Sequence, residues 1–421
     1  MTKLCRTEPS HCCRRYAIGP VLLVTPWYRP TVGGVVEVAD RLRRTFSEAG
    51  VKTHLLVCNE DTYRDEIQTD PVVTNVWRFQ IPSYAFHRLS LKAIAAMLIR
   101  GSLALWRIFR FLQSHQVRTI VLIYPFGYAW PFLLLRRTVG IRLITILQGN
   151  DITRYADYPT LSQWLLRCVL RGSDAIIACA DHLAQKAQEL FPGMLLPIRV
   201  IPNCVDVNHF VPSPPNFNKH DDRPTLVHVS NFAPKKRTLD IIEAFAIAAI
   251  PPNSRLVMVG AGSDLEAAIK RSRNLGMDHR VEFVGLQNDV RPYLWQADVF
   301  IMASDDEGAP QALLEAMACG LPWVSTAWGA AAVLPLGECG LVVPSRSPHQ
   351  LAAAMAELIN DPQRRYLMGL RGRHRAKVDF GEDKYVERHL QVIQNVEPNG
   401  TAPELLRRSP KLLNEGQRRH P

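Results

Sequence analysis

The sequence predicts an α/β protein made of two doubly wound domains that face each other across a cleft. The length of 421 residues favours two domains, because a single hydrophobic core rarely grows that large. Short apolar runs alternate with segments of helical periodicity, which indicates parallel strands connected by crossover helices. A proline-rich stretch near the middle of the chain interrupts this alternation, and the same pattern restarts after it.

The first domain is expected to span residues 18–202. It opens with the apolar run Val21–Thr25, followed by Gly33-Gly34 and then by apolar residues at helical spacing, which predicts a strand, a glycine loop and a helix. Further strands are predicted at residues 53–58, 119–124, 141–147, 174–179 and 198–202. Strands that alternate with helices in this way are typical of a Rossmann-like domain.

The second Rossmann-like domain is expected at residues 224–378. Residues 203–223 combine prolines, asparagines and charges without a periodic apolar face, so they are interpreted as a linker. Strands are then predicted at residues 225–230, 255–260, 281–284, 298–303 and 322–326, and helices at 237–249, 264–275, 310–319, 348–360 and 362–376. A last helix at 379–396 is expected to cross back to the first domain. Residues 1–17 and 397–421 are expected to be flexible.

Composition and charge limit the kinds of partner and the cellular compartment that are expected for this chain. The chain has 50 Lys and Arg against 39 Asp and Glu, and this positive balance favours an anionic partner such as nucleic acid, a membrane surface or a phosphorylated small molecule. Its nine cysteines are odd in number and form no CxxC pair, which indicates reduced thiols in a cytoplasmic protein. No apolar run reaches the length of a membrane span, and export is not expected.

The segment from 304 to 320 carries the clearest chemical pattern. It runs from a predicted strand end into a helix, and Glu307 and Glu315 lie eight residues apart within it. Pro310 suits the first turn of that helix. The free N–H groups of a helix N-terminus favour a phosphate, and the two carboxylates can accept hydrogen bonds from hydroxyl groups on either side. The pattern therefore fits a nucleoside diphosphate sugar.

The chain resembles the retaining nucleotide-sugar glycosyltransferases of the two-Rossmann (GT-B) type. The resemblance is to the branch with sucrose synthases and bacterial polysaccharide and lipid glycosyltransferases, also called glycosyl transferases group 1. It rests on motifs in the family's order: the glycine loop Gly33-Gly34, the stretch 201–210 that is similar to "IPNGVD", the basic segment 230–236, and the E-x7-E pair Glu307 and Glu315. Motifs in one order over about 375 residues are far more specific than any single motif.

The resemblance implies roles for individual residues. Glu315 is expected to bind the ribose hydroxyls. Glu307 and Lys236 are the expected catalytic residues, where Glu307 contacts a hydroxyl of the donor sugar and Lys236 contacts the diphosphate. Further donor-binding residues are expected at Gly33, Gly34, Gln148, Asn231, Lys235, Gly308, Ala309, Pro310, Gln311, Ala312 and Leu313. The implied reaction transfers a hexose from a nucleoside diphosphate sugar to a hydroxyl of a saccharide or lipid-linked acceptor, in polysaccharide or glycolipid biosynthesis.

Two positions depart from the family pattern. Gln148 stands where the family usually has the histidine of an "HGxD" motif, and Asn231 stands where it commonly has an arginine. Lys235, Lys236 and Arg237 are then the cations available for the diphosphate. These departures keep open the alternative of a non-catalytic partner in a polysaccharide assembly complex. A sugar-nucleotide epimerase is a second alternative, because such enzymes also use two Rossmann domains.

The run Asp305-Asp306-Glu307 resembles an acidic metal site. A helix N-terminus and a lysine can neutralise a diphosphate without a cation, however. We therefore expect neither a metal nor a cofactor, with the nucleotide sugar acting as a substrate.

A basic stripe is predicted on the helix at residues 92–110. Lys92, Arg100, Arg107 and Arg110 fall within an arc of about 80° at 100° per residue. Such a helix could lie on an anionic bilayer, at the inner face of the plasma membrane, or it could be an ordinary surface helix. Nucleic acid is not among the expected partners.

Overall fold

The computed structural model describes most of both predicted domains. The described residues are 18–29, 31, 33–58, 76–78, 91–125, 127–193, 197–215, 217, 223–305, 307, 310–327 and 338–396. The flexible ends predicted at 1–17 and 397–421 lie outside these residues, as do the donor-binding candidates Gly308 and Ala309.

The first domain contains a seven-stranded parallel sheet in the order β3-β2-β1-β4-β5-β6-β7. Its strands are β1 (Val21–Thr25), β2 (Thr53–Val57), β3 (Val76–Arg78), β4 (Thr119–Ile123), β5 (Arg142–Leu147), β6 (Ala175–Ala178) and β7 (Ile198–Val200). Its helices are α1 (Gly34–Glu48), α2 (Leu91–Ser114), α3 (Trp130–Val139), α4 (Asn150–Thr153), α5 (Thr160–Gly172) and α6 (Asp181–Leu190). Strand β3 was not predicted, because its apolar residues Val76 and Trp77 are followed by Arg78 and are not part of a longer apolar run.

The second domain contains a six-stranded parallel sheet in the order β10-β9-β8-β11-β12-β13. Its strands are β8 (Thr225–Val229), β9 (Arg255–Val259), β10 (Val281–Gly285), β11 (Val299–Met302), β12 (Trp323–Thr326) and β13 (Gly340–Val343). Its helices are α7 (Thr238–Ile247), α8 (Leu265–Asn274), α9 (Arg291–Gln296), α10 (Gln311–Ala318), α11 (Pro348–Asn360) and α12 (Pro362–Asp379). The predicted fold class is confirmed, although the edge strand β13 was not foreseen.

In both sheets, the order in which successive strands are added changes direction at the first strand of the domain. Strand β1 lies between β2 and β4, and β8 lies between β9 and β11. In open parallel sheets, ligands bind at the carboxyl ends of the strands that flank such a switch point. The glycine loop follows β1 and the Lys235-Lys236 pair follows β8. The candidate residues of both domains therefore lie at the edges where this topology places a ligand.

The first sheet is buried on both faces, which explains the continuous apolar runs of its strands. Val21 and Leu23 of β1 pack on the α1 side, whereas Leu22 and Val24 pack on the α2 side. Within the described residues, no helix combines the length and the apolar composition that crossing a bilayer would require.

The last helix, α13 (Glu382–Asn395), crosses back to the first domain. Its apolar face packs in the same core as β1 and α1, through Tyr385, Val386, Leu390 and Ile393. Where the chain returns, the amide of Val205 donates to the carbonyl of Phe380 at 2.9 Å. The two connections between the domains are thus paired with each other.

Helix α12 fixes the position of α10 in the second domain. A Cβ atom on Gly369 would lie 2.1 Å from the carbonyl oxygen of Gly320, so only glycine allows this approach. The Arg373 guanidinium donates to the carbonyls of Val207 and Phe210 in the linker and of Ala318 at the end of α10, at 2.7–2.8 Å. The linker and the helix that bears Glu315 are therefore held by one side chain.

Candidate functional site

The basic segment forms a tight turn directly after β8. Pro234–Lys236 make one turn of 3-10 helix, and Arg237 then adopts a left-handed backbone with a φ of 52°. The Arg237 side chain pairs with Asp240 at 2.8 Å, in the first turn of α7. The amide of Asp305 donates to the carbonyl of Lys235 at 2.8 Å. This bond ties the basic turn to the loop that carries Glu307.

Lys236 and Glu307 form an ion pair in which Lys236 Nζ donates to Glu307 Oε1. Their side chains are only 15% and 10% exposed. Burial raises the pKa of Glu307, but the charges of Lys236 and Lys235 outweigh it and hold that pKa below its ordinary value. Glu307 is therefore ionised near neutral pH. The two expected catalytic residues are direct partners.

Asp305 belongs to a separate cluster. Its carboxylate accepts hydrogen bonds from Ser345 and from the Arg346 guanidinium, the latter at 2.9 Å. Among the residues that the structure describes, no group of three or more His, Cys, Asp or Glu side chains is placed to hold a metal ion. Asp306 lies outside the described residues.

Helix α10 begins at Gln311, one residue after the expected start. The carbonyl of Pro310 accepts the amide of Leu313 at 3.1 Å, and the Leu313 side chain is fully buried. The amides of Gln311 and Ala312 precede any helical acceptor, so they are available to an anion at this helix end. The backbone here supports the expected phosphate contact, whereas the Leu313 side chain serves the core.

Glu315 sits half-buried in α10 and faces α1 of the other domain. Burial raises the pKa of Glu315 to about 7, while the charge of Arg41 and a hydrogen bond with Gln311 partly offset this rise and the charge of Glu37 adds to it. Both Arg41 and Glu37 belong to α1. Neither was predicted from the sequence, because nothing in the pattern places α1 against α10.

The turn after β5 is built around Asp151. The amides of Gln148 and Gly149 donate to its carboxylate at 3.0 and 2.7 Å, and the side chain is fully buried. Burial raises the pKa of Asp151 to about 6, although these amide bonds limit the rise. The carboxylate fixes the backbone that presents the half-buried Gln148.

Asn150, in the same turn, contacts the second domain. Lys235 Nζ donates to Asn150 Oδ1 at 3.3 Å, and the Tyr158 hydroxyl donates to the Asn150 carbonyl at 2.8 Å. Asn150 was not among the predicted donor-binding residues. It lies in the same Gln-Gly-Asn-Asp stretch that was compared with the family motif, so that motif was the available signal.

Three other predicted residues flank this group. Gly33 and Gly34 are exposed at the start of α1, and a Cβ atom on either would have no neighbour within 4 Å. Asn231 is exposed just after β8. The open space beside the glycines leaves room for a ligand. Asn231 presents a neutral amide at the position where the family pattern commonly has a charged arginine.

The raised pKa of Glu315 predicts a pH-dependent cost to stability. An unfolded chain releases this proton near pH 4.5 and the folded protein near pH 7, so wild-type stability falls across this window. Glu315→Gln removes the ionisation. The Tm difference between variant and wild type should grow by roughly 2 °C or more from pH 5 to pH 8, measured by calorimetry.

The exposed Glu266 of α8 provides the control, and Glu266→Gln should show no such growth. A Tm difference for Glu315→Gln that stays constant over this range would contradict the burial of the carboxyl group.

Similar known proteins are glycosyltransferases. The chain is 26% identical to N-acetyl-alpha-D-glucosaminyl L-malate synthase of Bacillus anthracis, over 87% of this chain and 95% of that protein. It is 28% identical to a GDP-mannose-dependent alpha-(1-6)-phosphatidylinositol monomannoside mannosyltransferase of Mycobacterium tuberculosis H37Rv, over 63% of this chain and 73% of that protein.

Among solved structures, HepE of Anabaena in complex with UDP and glucose has a TM-score of 0.72 at 17% identity, covering 90% of this chain and 100% of that one. A model described as glycosyl transferase 4-like domain matches residues 33–204, and one described as glycosyl transferases group 1 matches residues 223–361. Since these two regions include both domains and most of the chain, the chain belongs to the group 1 glycosyltransferases with the GT-B fold.

Proposed function

We propose that the protein is a retaining hexosyltransferase. It moves a hexose from a nucleoside diphosphate sugar to an acceptor hydroxyl during polysaccharide or glycolipid assembly. The observation that carries this proposal is the Lys236–Glu307 pair beside the N-terminus of α10, at the carboxyl ends of the sheet. The names of the relatives support it, since they transfer sugars onto L-malate and onto a phosphatidylinositol mannoside.

Leaving-group stabilisation is the main catalytic task, because negative charge grows on the diphosphate as the glycosidic bond breaks. The Lys236 ammonium group and the amides of Gln311 and Ala312 are the groups that meet this charge. When Lys236 turns to the phosphate, Glu307 is free to accept a hydrogen bond from a hydroxyl of the donor sugar. One buried pair thereby supplies contacts to both halves of the donor.

A front-face substitution, assisted by the leaving phosphate, fits the carboxylates of the site. A double displacement needs a free carboxylate on the far face of the sugar. Glu307 is paired with Lys236, and the buried Asp151 is bonded to the amides of Gln148 and Gly149. Asp151 is held by these amides, and Glu307, once Lys236 turns to the phosphate, is assigned to a donor-sugar hydroxyl, so we assign neither of them as a nucleophile.

Glu315 suits the ribose hydroxyls of the donor. With a pKa of about 7, it is protonated in a large fraction of molecules at neutral pH. A protonated carboxyl group can donate one hydrogen bond and accept others, which matches a pair of neighbouring hydroxyls. Ribose keeps its charge during sugar transfer, so this contact stabilises ground and transition states equally.

We predict that the protein binds a nucleotide without a metal ion. In EDTA, either UDP or GDP should raise the unfolding free energy by about 2.7 kcal/mol at a hundredfold excess over its Kd, measured by thermal shift. Lys236→Met should weaken this stabilisation, because the diphosphate then loses the attraction of the Lys236 ammonium group. Stabilisation that appears only after Mg²⁺ or Mn²⁺ is added would return Asp305 and Asp306 to the site. No stabilisation by any nucleotide would favour the non-catalytic alternative.

Enzyme kinetics should distinguish the role of Lys236 from the role of Glu315. Lys236→Met should lower kcat and kcat/KM together, by roughly 10²–10³, because its contact strengthens in the transition state. Glu315→Gln should mainly raise the KM for the donor. Donor turnover into transferred or hydrolysed sugar, measured at saturating donor, distinguishes these outcomes.

A control is needed because Lys236→Met leaves a buried carboxylate unpaired, which destabilises the fold. Glu307→Gln removes that charge, so Lys236→Met is also compared in the Glu307→Gln background. A large loss of kcat in both backgrounds supports leaving-group stabilisation. If the loss vanishes in Glu307→Gln, or if Glu315→Gln abolishes kcat, the assigned roles are wrong.

We also propose that α2 docks on an anionic membrane, with the enzyme at the cytoplasmic face. Arg100 and Arg110 are exposed, and so are Ile99, Leu103 and Trp106 on the same side of the helix. Exposed apolar side chains among cations suit the boundary between lipid headgroups and acyl chains. Lys92 lies in α2, but its side chain is outside the described residues.

The membrane proposal predicts a specific loss of vesicle binding. Arg100→Gln with Arg110→Gln should weaken binding to phosphatidylglycerol vesicles by about 1 kcal/mol for each cation, in a sedimentation assay at low salt. Lys270→Gln with Arg273→Gln, which removes equal charge from α8, is the control and should bind as wild type does. Equal binding by the α2 variant would reject this docking surface.

A further inference from the structure

The loop after β1 holds a partly exposed tryptophan in a fixed position. Trp27 is 39% exposed, whereas the next residue, Tyr28, is buried and its hydroxyl donates to Asp40 of α1. The Thr25 hydroxyl donates to the carbonyl of Trp27 at 3.1 Å, and Arg78 donates to the carbonyl of Arg29 at 2.7 Å. The backbone is thus secured on both sides of the indole.

Tyr124, at the end of β4, supports the indole from the neighbouring strand. The two ring centroids are 5.3 Å apart with an interplanar angle of 50°. Tyr124 has a φ of 58°, a left-handed conformation that is strained for a bulky residue and that concentrates at functional sites. Its carbonyl accepts the Tyr128 hydroxyl at 3.1 Å, and its amide donates to Ile146 at 3.0 Å. The strained conformation is therefore held by several partners.

A chain of hydrogen bonds connects this aromatic pair to the donor site. The hydroxyl of Tyr124 bonds to that of Tyr158, and the Tyr158 hydroxyl donates to the Asn150 carbonyl at 2.8 Å. Asn150 Oδ1 in turn accepts Lys235 Nζ at 3.3 Å. The position of Trp27 is thus coupled through three side chains to the lysine beside the expected diphosphate.

We propose that Trp27 is the platform on which a pyranose ring of the acceptor stacks. This inference rests on the proposed function and names its acceptor class: a saccharide, free or lipid-linked, and not an open-chain hydroxy acid. The flat indole presents a negative face to the C–H groups of a sugar ring. Arg29, whose side chain is 60% exposed, offers donors to ring hydroxyls or to an acidic substituent.

The location separates Trp27 from the other tryptophans that are exposed within the described part of the chain. Trp106 and Trp164 lie on the outer helices α2 and α5, whereas Trp27 follows β1 at the edge where both sheets end. A tryptophan that served only the core would be covered on both faces. The packed Tyr124 covers one side of the Trp27 indole, and the exposed remainder is left for a ligand.

The test measures sugar contacts by saturation-transfer NMR with the nucleotide bound. The probes are methyl α-D-mannopyranoside, methyl β-D-galactopyranoside, methyl N-acetyl-β-D-glucosaminide, methyl β-D-glucuronide and L-malate. At least one pyranoside should show saturation concentrated on the protons of one ring face. Trp27→Ala should reduce that signal at least fivefold, Trp27→Phe should keep it within twofold, and Trp164→Ala should leave it unchanged.

Nucleotide stabilisation, measured on the same samples, tests the proposed function separately. It should be equal in Trp27→Ala and wild type, which also shows that the variant is folded. If nucleotides bind but no pyranoside signal depends on Trp27, or if only L-malate binds, the stacking platform is overturned while the glycosyltransferase assignment stands. If no nucleotide binds, the proposed function fails first.

Discussion

The carbonyl oxygen of Cys204 is the point at which the two domains are joined. It accepts a hydrogen bond from Arg41 of α1 and another, at 3.2 Å, from Gln311 of α10. The next residue, Val205, pairs with Phe380 where the chain returns to the first domain. Because α1 follows the glycine loop and Gln311 is the first residue of α10, these bonds set the distance between the two helices that the proposed function places on the acceptor and donor sides. A buried carbonyl with two donors is a rigid reference for both.

The two glutamates of the E-x7-E pair lie in different electrostatic surroundings, which gives them different ionisation states. Glu307 is buried beside two lysines, so its pKa is lowered and it carries a full charge. Glu315 is half-buried and only partly compensated by Arg41 and Gln311, so its pKa rises to about 7 and it can be neutral. The eight-residue spacing places one carboxylate before the helix and the other inside it. Environments that push two pKa values apart let one motif present a charged carboxylate and a carboxyl group that can be neutral, which the proposed function assigns to hydroxyls of the donor sugar and of its ribose.

The sequence could reveal the strands, the linker and the carboxylates, since these follow from local periodicity and from motif order. It could not reveal the Lys236–Glu307 pair as a pair, because the two residues are 71 positions apart and meet only when β8 and β11 become neighbours. The contacts of Arg41 could not be predicted for a similar reason, because its partners lie in the linker and in α10. The edge strands β3 and β13 were not predicted, since the pairing of an edge strand depends on the sheet already present.

The three cations of the basic turn are each engaged, and under the proposed function this constrains how the donor binds. Arg237 pairs with Asp240, Lys235 contacts Asn150, and Lys236 pairs with Glu307. A diphosphate gains the attraction of a lysine only by replacing an existing partner, so its net gain is smaller than the charge count suggests. Replacing Glu307 leaves that carboxylate needing a hydroxyl, which the donor sugar supplies. Replacing Asn150 frees its side-chain oxygen, whereas the Asn150 carbonyl keeps the hydrogen bond from Tyr158. The turn after β5 can therefore stay in place while the donor occupies the basic turn.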